Sequence, residues 1–152
     1  MLVQEIMTRD VECINPGNTL QEAAQRMRSL DVGPLPVCDH DDLVGMITDR
    51  DIVVRAVAQG GDPKKKKVRD AMTPAIASCL EDQSIEEAAE IMKTKQVRRL
   101  AVLNRNHQLV GMISLADLAL GCDSSELAGK TLERISLPAA PPEGEAVLAT
   151  PY

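Results

Sequence analysis

The stretch that decides the fold is Gly45–Asp51, GMITDRD, which returns in the second half of the chain as Gly111–Asp117, GMISLAD. Each copy places a hydroxyl residue three positions before an aspartate, the pattern of a residue that caps a helix and its reciprocal acid. Each copy also begins within an apolar run that is typical of a buried strand. The two stretches therefore predict two equivalent corners at which a strand turns into a helix.

The duplication extends outward from these corners over most of the chain. Residues 3–57 and 68–120 share their order of apolar and polar positions, including an alternating first segment at Asp10–Asn15 and Ala75–Leu80. Each copy predicts a β-α-β-β-α unit, so the fold class is α+β. Two similar units packed with pseudo-two-fold symmetry form a cleft at their junction, and clefts of this kind are common ligand sites.

Changes in composition mark the expected boundaries of these units. We predict repeat 1 over residues 1–60, a linker over 61–67, repeat 2 over 68–122, and a C-terminal helix with a mobile tail over 123–152. Within the linker the run Lys64–Lys67 follows the turn Gly60–Pro63, and such a run of lysines predicts a solvated loop. The tail is rich in Ala, Pro and Glu, which predicts mobility.

Composition argues against several classes of partner. The formal net charge is −6, Phe and Trp are absent, and there is one Tyr. Nucleic-acid surfaces need cations for the phosphates and aromatic side chains for the bases. The sequence also lacks an apolar run of about eighteen residues, which would span a membrane, and a signal-peptide pattern. We therefore expect a cytoplasmic protein that binds neither nucleic acid nor membranes.

No motif predicts catalysis or a metal centre. The chain has no Walker A loop, no GxGxxG and no HExxH. Its two histidines, His40 and His107, fall at matching hairpin turns, where exposure to solvent explains them best. We expect no enzymatic activity, no catalytic residue and no metal ligand.

The four cysteines show no C-x-x-C spacing. Cys13 and Cys38 should lie on strands of one small sheet, which can bring such positions within disulfide reach. Repeat 2 has Ser78 and Leu103 at the equivalent positions, so it has no counterpart of this cysteine pair. Sequence spacing does not fix the distance between the two sulfur atoms, so the bridge is left open.

The repeated features resemble a known family. The tandem repeat, the Met-Thr pairs Met7-Thr8 and Met72-Thr73, and the hydroxyl-x-x-Asp endings are similar to a pair of cystathionine-β-synthase (CBS) domains, also called a Bateman module. The resemblance covers about residues 2–121. It is greatest to stand-alone bacterial two-CBS proteins. It implies two β-α-β-β-α CBS repeats with pseudo-two-fold symmetry, and an adenine nucleotide in the cleft: AMP first, then ADP or ATP, with NAD or S-adenosylmethionine as further options.

Carried over by position, the resemblance implies one site that uses Ser114 and Asp117 for the ribose and Arg99 for phosphate. The residues implied to line the adenine pocket of this site are Thr8, Val11, Cys13, Val32, Gly33 and Pro34.

The mirror site implied by the resemblance uses Thr48 and Asp51 for the ribose and Arg50 for phosphate. The residues expected near its base are Thr73, Ile76 and Ser78. Pro34 stands at the position equivalent to Arg99, so this site is expected to lack one phosphate ligand. The resemblance therefore predicts unequal sites, with the Asp117 site favoured.

The function implied is a regulatory ligand sensor that signals through an unknown effector protein or a rearranged homodimer. The apolar residues expected on the exposed dimer face are Met27, Ile52, Val53, Ile91 and Leu118. Two alternatives stay open. The chain is a stress-response or interaction protein with an empty cleft, or its cleft is gated by the redox state of Cys13 and Cys38.

Overall fold

The structure, a computed structural model, describes residues 1–123 and 125–138. The predicted mobile tail lies outside the described residues from position 139 onward. The first half contains α1 (Val3–Ile6), β1 (Thr8–Arg9), α2 (Leu20–Leu30), β2 (Pro34–Asp39), β3 (Asp42–Thr48), α3 (Asp49–Arg55) and a 3-10 turn (Val57–Gln59). The second half contains α4 (Val68–Ala71), β4 (Thr73–Pro74), β5 (Ser78–Leu80), α5 (Ile85–Lys95), β6 (Arg99–Leu103), β7 (Leu109–Ser114), α6 (Leu115–Gly121) and α7 (Ser125–Ser136).

The two long repeat helices begin at capping boxes, as the sequence predicts. In α2 the Glu22 amide donates to Thr19 Oγ1 at 3.1 Å, and the Glu22 carboxylate accepts from the Thr19 amide at 2.8 Å. In α5 the same two bonds join Ser84 and Glu87 at 3.2 and 2.8 Å. Each box satisfies two backbone amides that a helix start leaves without partners.

Each repeat lends its first strand to the other repeat's sheet. Strand β1 pairs antiparallel with β7, and β4 pairs antiparallel with β3. The resulting strand orders are β1-β7-β6-β5 and β2-β3-β4. The sequence did not predict these two-residue strands, which are too short for any periodicity, and the exchange they make joins the repeats through backbone hydrogen bonds.

Two glycines permit this exchange. A Cβ at Gly45 would lie 2.6 Å from the Thr73 carbonyl oxygen, and a Cβ at Gly111 would lie 2.6 Å from the Thr8 carbonyl oxygen. Both distances are far below van der Waals contact. The glycines that begin the duplicated stretches are therefore explained by the close approach of a strand from the other repeat.

The two hydrophobic cores are also shared between the repeats. One core holds the apolar faces of α2, β2 and β3 together with Val68 and Ala71 from α4. The other holds those of α5, β6 and β7 together with Val3 and Met7 from the N-terminus. Each core therefore contains residues from both sequence repeats.

The first strand predicted for repeat 1 is wrong. Asp10–Asn15 forms no strand and contributes a single parallel bridge between Ile14 and Val37. Its counterpart in repeat 2 is a strand only over Ser78–Leu80, where it pairs with β6 at three positions. Alternating polarity alone did not distinguish a fully paired strand from an extended segment with one bridge.

The predicted dimer face also needs correction. Met27 and Ile52 are 6% and 8% exposed, and Leu118 is fully buried. These side chains complete the cores that their own helices cover, so they cannot form an outer surface. Of the predicted set, Val53 is exposed, at 57%, and Ile91 is partly buried.

The C-terminal helix α7 packs on α5 and α6. Its inward side chains include Thr131, which is fully buried, and Ala128. No helix in the described part of the chain is both long enough and apolar enough to cross a bilayer.

Candidate functional site

A cavity of about 500 Å³ lies at the junction of the two repeats. One repeat contributes the Thr48–Asp51 corner between β3 and α3, and the other contributes the segment that leads into β6. The complete lining is Pro34, Met46, Thr48, Asp51, Thr73, Ala75, Ile76, Ala77, Lys95, Val97, Arg98 and Arg99. The predicted cleft therefore contains residues of both units, and four of the predicted mirror-site residues meet in it: Thr48, Asp51, Thr73 and Ile76.

The Thr48–Asp51 corner is held by a reciprocal cap. The Asp51 amide donates to Thr48 Oγ1 at 3.1 Å, and the Thr48 amide donates to Asp51 Oδ2 at 3.0 Å. This cap fixes the position of both side chains at the cavity wall. The bonds use one carboxylate oxygen and leave the second, Oδ1, for other partners.

Arg55 approaches that second oxygen from one turn further along α3. Its Nε lies 3.7 Å from Asp51 Oδ1, and its Nη1 donates to the carbonyl oxygens of Ala71 and Met72 at 3.4 and 3.3 Å. The Asp51 side chain is 14% exposed. Arg55 therefore ties the carboxylate to the chain just before Thr73, another residue that lines the cavity.

Three cations, Lys95, Arg98 and Arg99, line the side of the cavity contributed by repeat 2. Within residues 1–123 and 125–138, none of the three forms an ion pair. Asp51 is the one carboxylate among the lining residues. The cavity is therefore electropositive and suited to an anion, and the planar guanidinium groups match a phosphate in particular.

The Ser114–Asp117 corner has the same local geometry but different surroundings. The Ser114 amide and Oγ donate to Asp117 Oδ2 at 2.7 and 2.8 Å, and the Asp117 amide lies 3.2 Å from Ser114 Oγ. Ser114 and Arg99 also line a cavity of about 450 Å³ whose far wall is α7. Arg99 thus borders both cavities, and the second corner faces the C-terminal helix.

The remaining predicted site residues are distributed unevenly. Pro34, expected at the Asp117 site, lines the Asp51 cavity, and Ser78 lies on an adjoining cavity. Arg50 is exposed on α3 outside the lining. The other residues predicted for the Asp117 adenine pocket lie on β1, on the segment that follows it and in the turn before β2; they are Thr8, Val11, Cys13, Val32 and Gly33.

Sequence reasoning missed Lys95, Val97 and Arg98. The signal that finds two of them is the repeat itself, since Val97 and Arg98 are the counterparts of Val32 and Gly33. Those counterparts were assigned to the adenine pocket of one site, but the same shift was not applied to the mirror site. Pro34 lines the Asp51 cavity as expected, and Arg98 and Arg99 add two cations that the expectation of a missing phosphate ligand did not consider.

Cys13 and Cys38 form a disulfide, with their Cα atoms 5.8 Å apart. The bond joins the segment 10–15 to β2, next to the single Ile14–Val37 bridge. The buried Cys79 is different, because burial raises the pKa of its thiol to about 12 and keeps it protonated.

No cluster of three or more His, Cys, Asp or Glu side chains that could hold a metal ion occurs in the part of the chain that the structure describes.

Comparison with known proteins agrees with the duplicated fold. The model of the CBS domain family matches residues 3–57 and again residues 68–121. These two matches coincide with the two sequence repeats and account for most of the chain.

Two bacterial relatives match most of the chain. The CBS domain-containing protein YhcV of Bacillus subtilis is 40% identical over 134 residues, which cover 88% of this chain and 94% of that protein. Hypoxic response protein 1 of Mycobacterium tuberculosis is 41% identical over 117 residues, which cover 76% of this chain and 81% of that protein.

Solved structures share the architecture. The crystal structure of hypoxic response protein I with two coordinated zinc ions matches with a TM-score of 0.70 at 39% identity, covering 78% of this chain and 97% of that one. The CBS domain pair of protein MJ0100 in complex with 5'-methylthioadenosine and S-adenosylmethionine matches with a TM-score of 0.69 at 27% identity, covering 78% and 93%. The duplicated corners, the exchanged strands and these matches together show that the chain belongs to the CBS domain family and contains a pair of CBS domains.

Proposed function

We propose that this CBS pair is a non-catalytic regulatory module that binds an adenine nucleotide in the Asp51 cavity. The observation that carries the proposal is the meeting of the Thr48–Asp51 corner of one repeat with Arg98 and Arg99 of the other. A ligand that contacts both parts would bridge the two repeats. Because bridging stabilises one relative arrangement of the units, occupancy can be transmitted to a partner surface.

Each part of a nucleotide has a suitable counterpart in the cavity. Met46, Ile76 and Val97 provide apolar surface for a base, which matters in a chain without Phe or Trp. Asp51 is positioned to accept hydrogen bonds from a ribose diol, and the two arginines are suited to phosphate. A volume of about 500 Å³ is within the usual range for a small-molecule site.

The electropositive lining favours a phosphorylated ligand over a neutral nucleoside. AMP is the expectation from sequence, and ADP and ATP carry more negative charge to match Lys95, Arg98 and Arg99. The MJ0100 complex supports an adenosine-containing ligand for a CBS pair of this architecture. We therefore place the Asp51 cavity ahead of the Asp117 corner, which reverses the order expected from sequence.

The proposed output surface is the helical face of repeat 1. Val53 and Val57 are 57% and 54% exposed there, whereas α7 covers the equivalent face of repeat 2. We propose that this face of repeat 1 forms a homodimer or receives an effector protein. Analytical ultracentrifugation of the wild type and Val53→Asp tests the dimer, since a buried charge would dissociate it.

Thermal unfolding against a ligand panel tests the nucleotide proposal. The panel is adenosine, AMP, ADP, ATP, NAD and S-adenosylmethionine, each at about 100 times its dissociation constant where it binds. A ligand specific for the native state should then raise the melting temperature by about 5–10 °C for a chain of this size. Mass spectrometry of small molecules that co-purify with the protein provides an independent identification.

Removing one arginine tests the contribution of charge to nucleotide binding. Arg98→Ala should weaken AMP binding about tenfold, the loss of one charge-assisted contact, and should leave adenosine binding nearly unchanged. Arg105→Ala is the matched control, since Arg105 is an exposed arginine of the same repeat that pairs with Asp82 and lies outside the cavity lining. An absence of any thermal shift across the panel would contradict the proposal.

A second candidate function is a redox-responsive interaction protein with an empty cleft. The Cys13–Cys38 disulfide favours it, because disulfides in a reducing cytosol are usually transient or redox-sensing. A dithiol reductant would supply two electrons and two protons, convert the bridge to two thiols and free the segment 10–15 from β2.

Thiol counting tests this candidate. We expect two titratable thiols, from Cys79 and Cys122, in protein that is denatured without reductant, and four after reduction. Four thiols before reduction would end the redox hypothesis. Two thiols combined with no nucleotide binding would favour it over the sensor.

A further inference from the structure

We propose that helix α7 is a positioning element of the nucleotide site, coupled to it through Gln96. This inference rests on the proposed function. It concerns a part of the chain beyond the family-model matches, which end at residue 121. The evidence lies in the short segment Gln96–Arg99, which contacts α7 at one end and the ligand cavity at the other.

Gln96 fastens the far end of α7 to this segment. It ends α5 in the left-handed conformation, with φ of 51°. Its side-chain amide donates to the Arg134 carbonyl oxygen at 3.3 Å and to the Leu137 carbonyl oxygen at 3.1 Å. Backbone carbonyls at a helix C-terminus have no partners within the helix, so Gln96 supplies what the end of α7 lacks.

The next residues carry the contact into the binding site. Val97, Arg98 and Arg99 line the Asp51 cavity directly after Gln96. Arg98 and Arg99 also border the cavity of about 450 Å³ that Ala128, Gly129 and Leu132 close from the α7 side. The two arginines therefore stand between the ligand cavity and the C-terminal helix.

Helix α7 packs on the core of repeat 2 through one face, on which Leu127 and Ile135 are partly buried. Thr131 and Ala128 are its buried residues, and a Cβ placed at Gly129 would meet no atom within 4 Å. An interior glycine also weakens a helix relative to alanine. Such a helix can have a docked and an undocked state that differ little in free energy, which is the condition for a coupled element.

The sign of the coupling follows from charge. Lys95, Arg98 and Arg99 repel one another when the cavity is empty, which loosens the segment to which α7 is tied. A bound phosphate neutralises them and orders the segment, so the docked state of α7 is favoured. Because coupling is reciprocal, docked α7 must strengthen nucleotide binding by the same factor.

Hydrogen exchange of the full-length protein with and without AMP and ATP tests this inference. We expect nucleotide to slow exchange of the α7 amides about tenfold. Gln96→Asn keeps an amide and a residue that tolerates the left-handed conformation, but its side chain is shorter and does not reach α7. This variant should lose the nucleotide-dependent protection of α7 and bind nucleotide about tenfold more weakly.

Repeat 1 provides the matched control. Asp31 ends α2 in the same left-handed conformation, with φ of 54°, so Asp31→Asn should change neither affinity nor α7 exchange. Nucleotide binding with unchanged α7 exchange, or full affinity in Gln96→Asn, would overturn the inference and leave the proposed function standing. Failure of AMP and ATP to bind the wild type would overturn both.

Discussion

The two repeats carry the same corner motif but stabilise it by different means. In repeat 2 the segment before the first helix is a strand that pairs with β6 at three positions, and α7 covers the helical face. In repeat 1 the equivalent segment has one bridge and a disulfide, and Val53 and Val57 on its helical face are exposed among the described residues. The difference teaches that repeat 2 stabilises its part of the cleft by strand pairing and the packing of α7, while repeat 1 relies on a disulfide that a reductant can break.

The two repeats also contribute different charged residues to the cleft. Repeat 1 supplies the hydroxyl and the acid of the electropositive cavity, and repeat 2 supplies Lys95, Arg98 and Arg99. Neither repeat holds a complete site. The proposed nucleotide would therefore contact both repeats.

Reduction of the disulfide should produce the largest difference between the repeats. Closing a loop between residues 25 apart contributes about 3.5 kcal/mol to the free energy of unfolding in the chain-entropy account. Urea unfolding with and without a dithiol reductant measures this loss. Cys38→Ser should show the lower stability under both conditions and no further response to reductant. Equal free energies of unfolding of the wild type with and without reductant would show that the disulfide does not stabilise repeat 1.

Both repeats exchange a strand, so equivalent substitutions at the two points of exchange should both destabilise the protein. Gly45→Ala and Gly111→Ala each place a methyl group against a backbone oxygen, so both should destabilise the protein by about 1–3 kcal/mol, as overpacking does. Gly111→Ala should cost more, because its Cβ also meets Met7 Sδ at 2.9 Å, against 3.3 Å for Met72 Sδ at Gly45. The urea concentrations at the midpoint of unfolding show which of the two variants is less stable. An unchanged midpoint in either variant would contradict the close approach.

A substitution in helix α7, which covers the helical face of repeat 2, should raise the stability of the protein. Gly129→Ala fills open space within α7 and should raise the free energy of unfolding by about 0.5–1 kcal/mol through helix propensity. Thermal unfolding measures this increase. A lower melting temperature would show that α7 does not pack as described.

The sequence predicted the parts of this fold that depend on local patterns. The helices of both repeats follow from their capping boxes and apolar spacing, and the β2–β3 and β6–β7 hairpins follow from apolar runs separated by turns. The duplication predicted two equivalent corners and a shared cleft. These features need no knowledge of distant contacts.

The features that the sequence did not predict depend on contacts between distant segments. Strands β1 and β4 are two residues long and exist because the other repeat pairs with them. Met27 and Leu118 lie on the apolar faces of their helices, and helical spacing alone does not show whether the core or a second molecule covers such a face. The position of Arg99 between two cavities likewise follows from the packing of the repeats and of α7.

Isothermal titration of AMP and ATP into Asp51→Ala and Asp117→Ala tests the central claim most directly. Both substitutions remove the acid that completes a capping box, and Asp51→Ala also removes the contact with Arg55 Nε at 3.7 Å, so thermal unfolding first establishes that each variant is folded. We predict that Asp51→Ala loses most of its affinity and that Asp117→Ala binds nearly as the wild type does. Loss of binding in Asp117→Ala with full binding in Asp51→Ala would contradict the assignment of the nucleotide to the cavity between Asp51 and the two arginines.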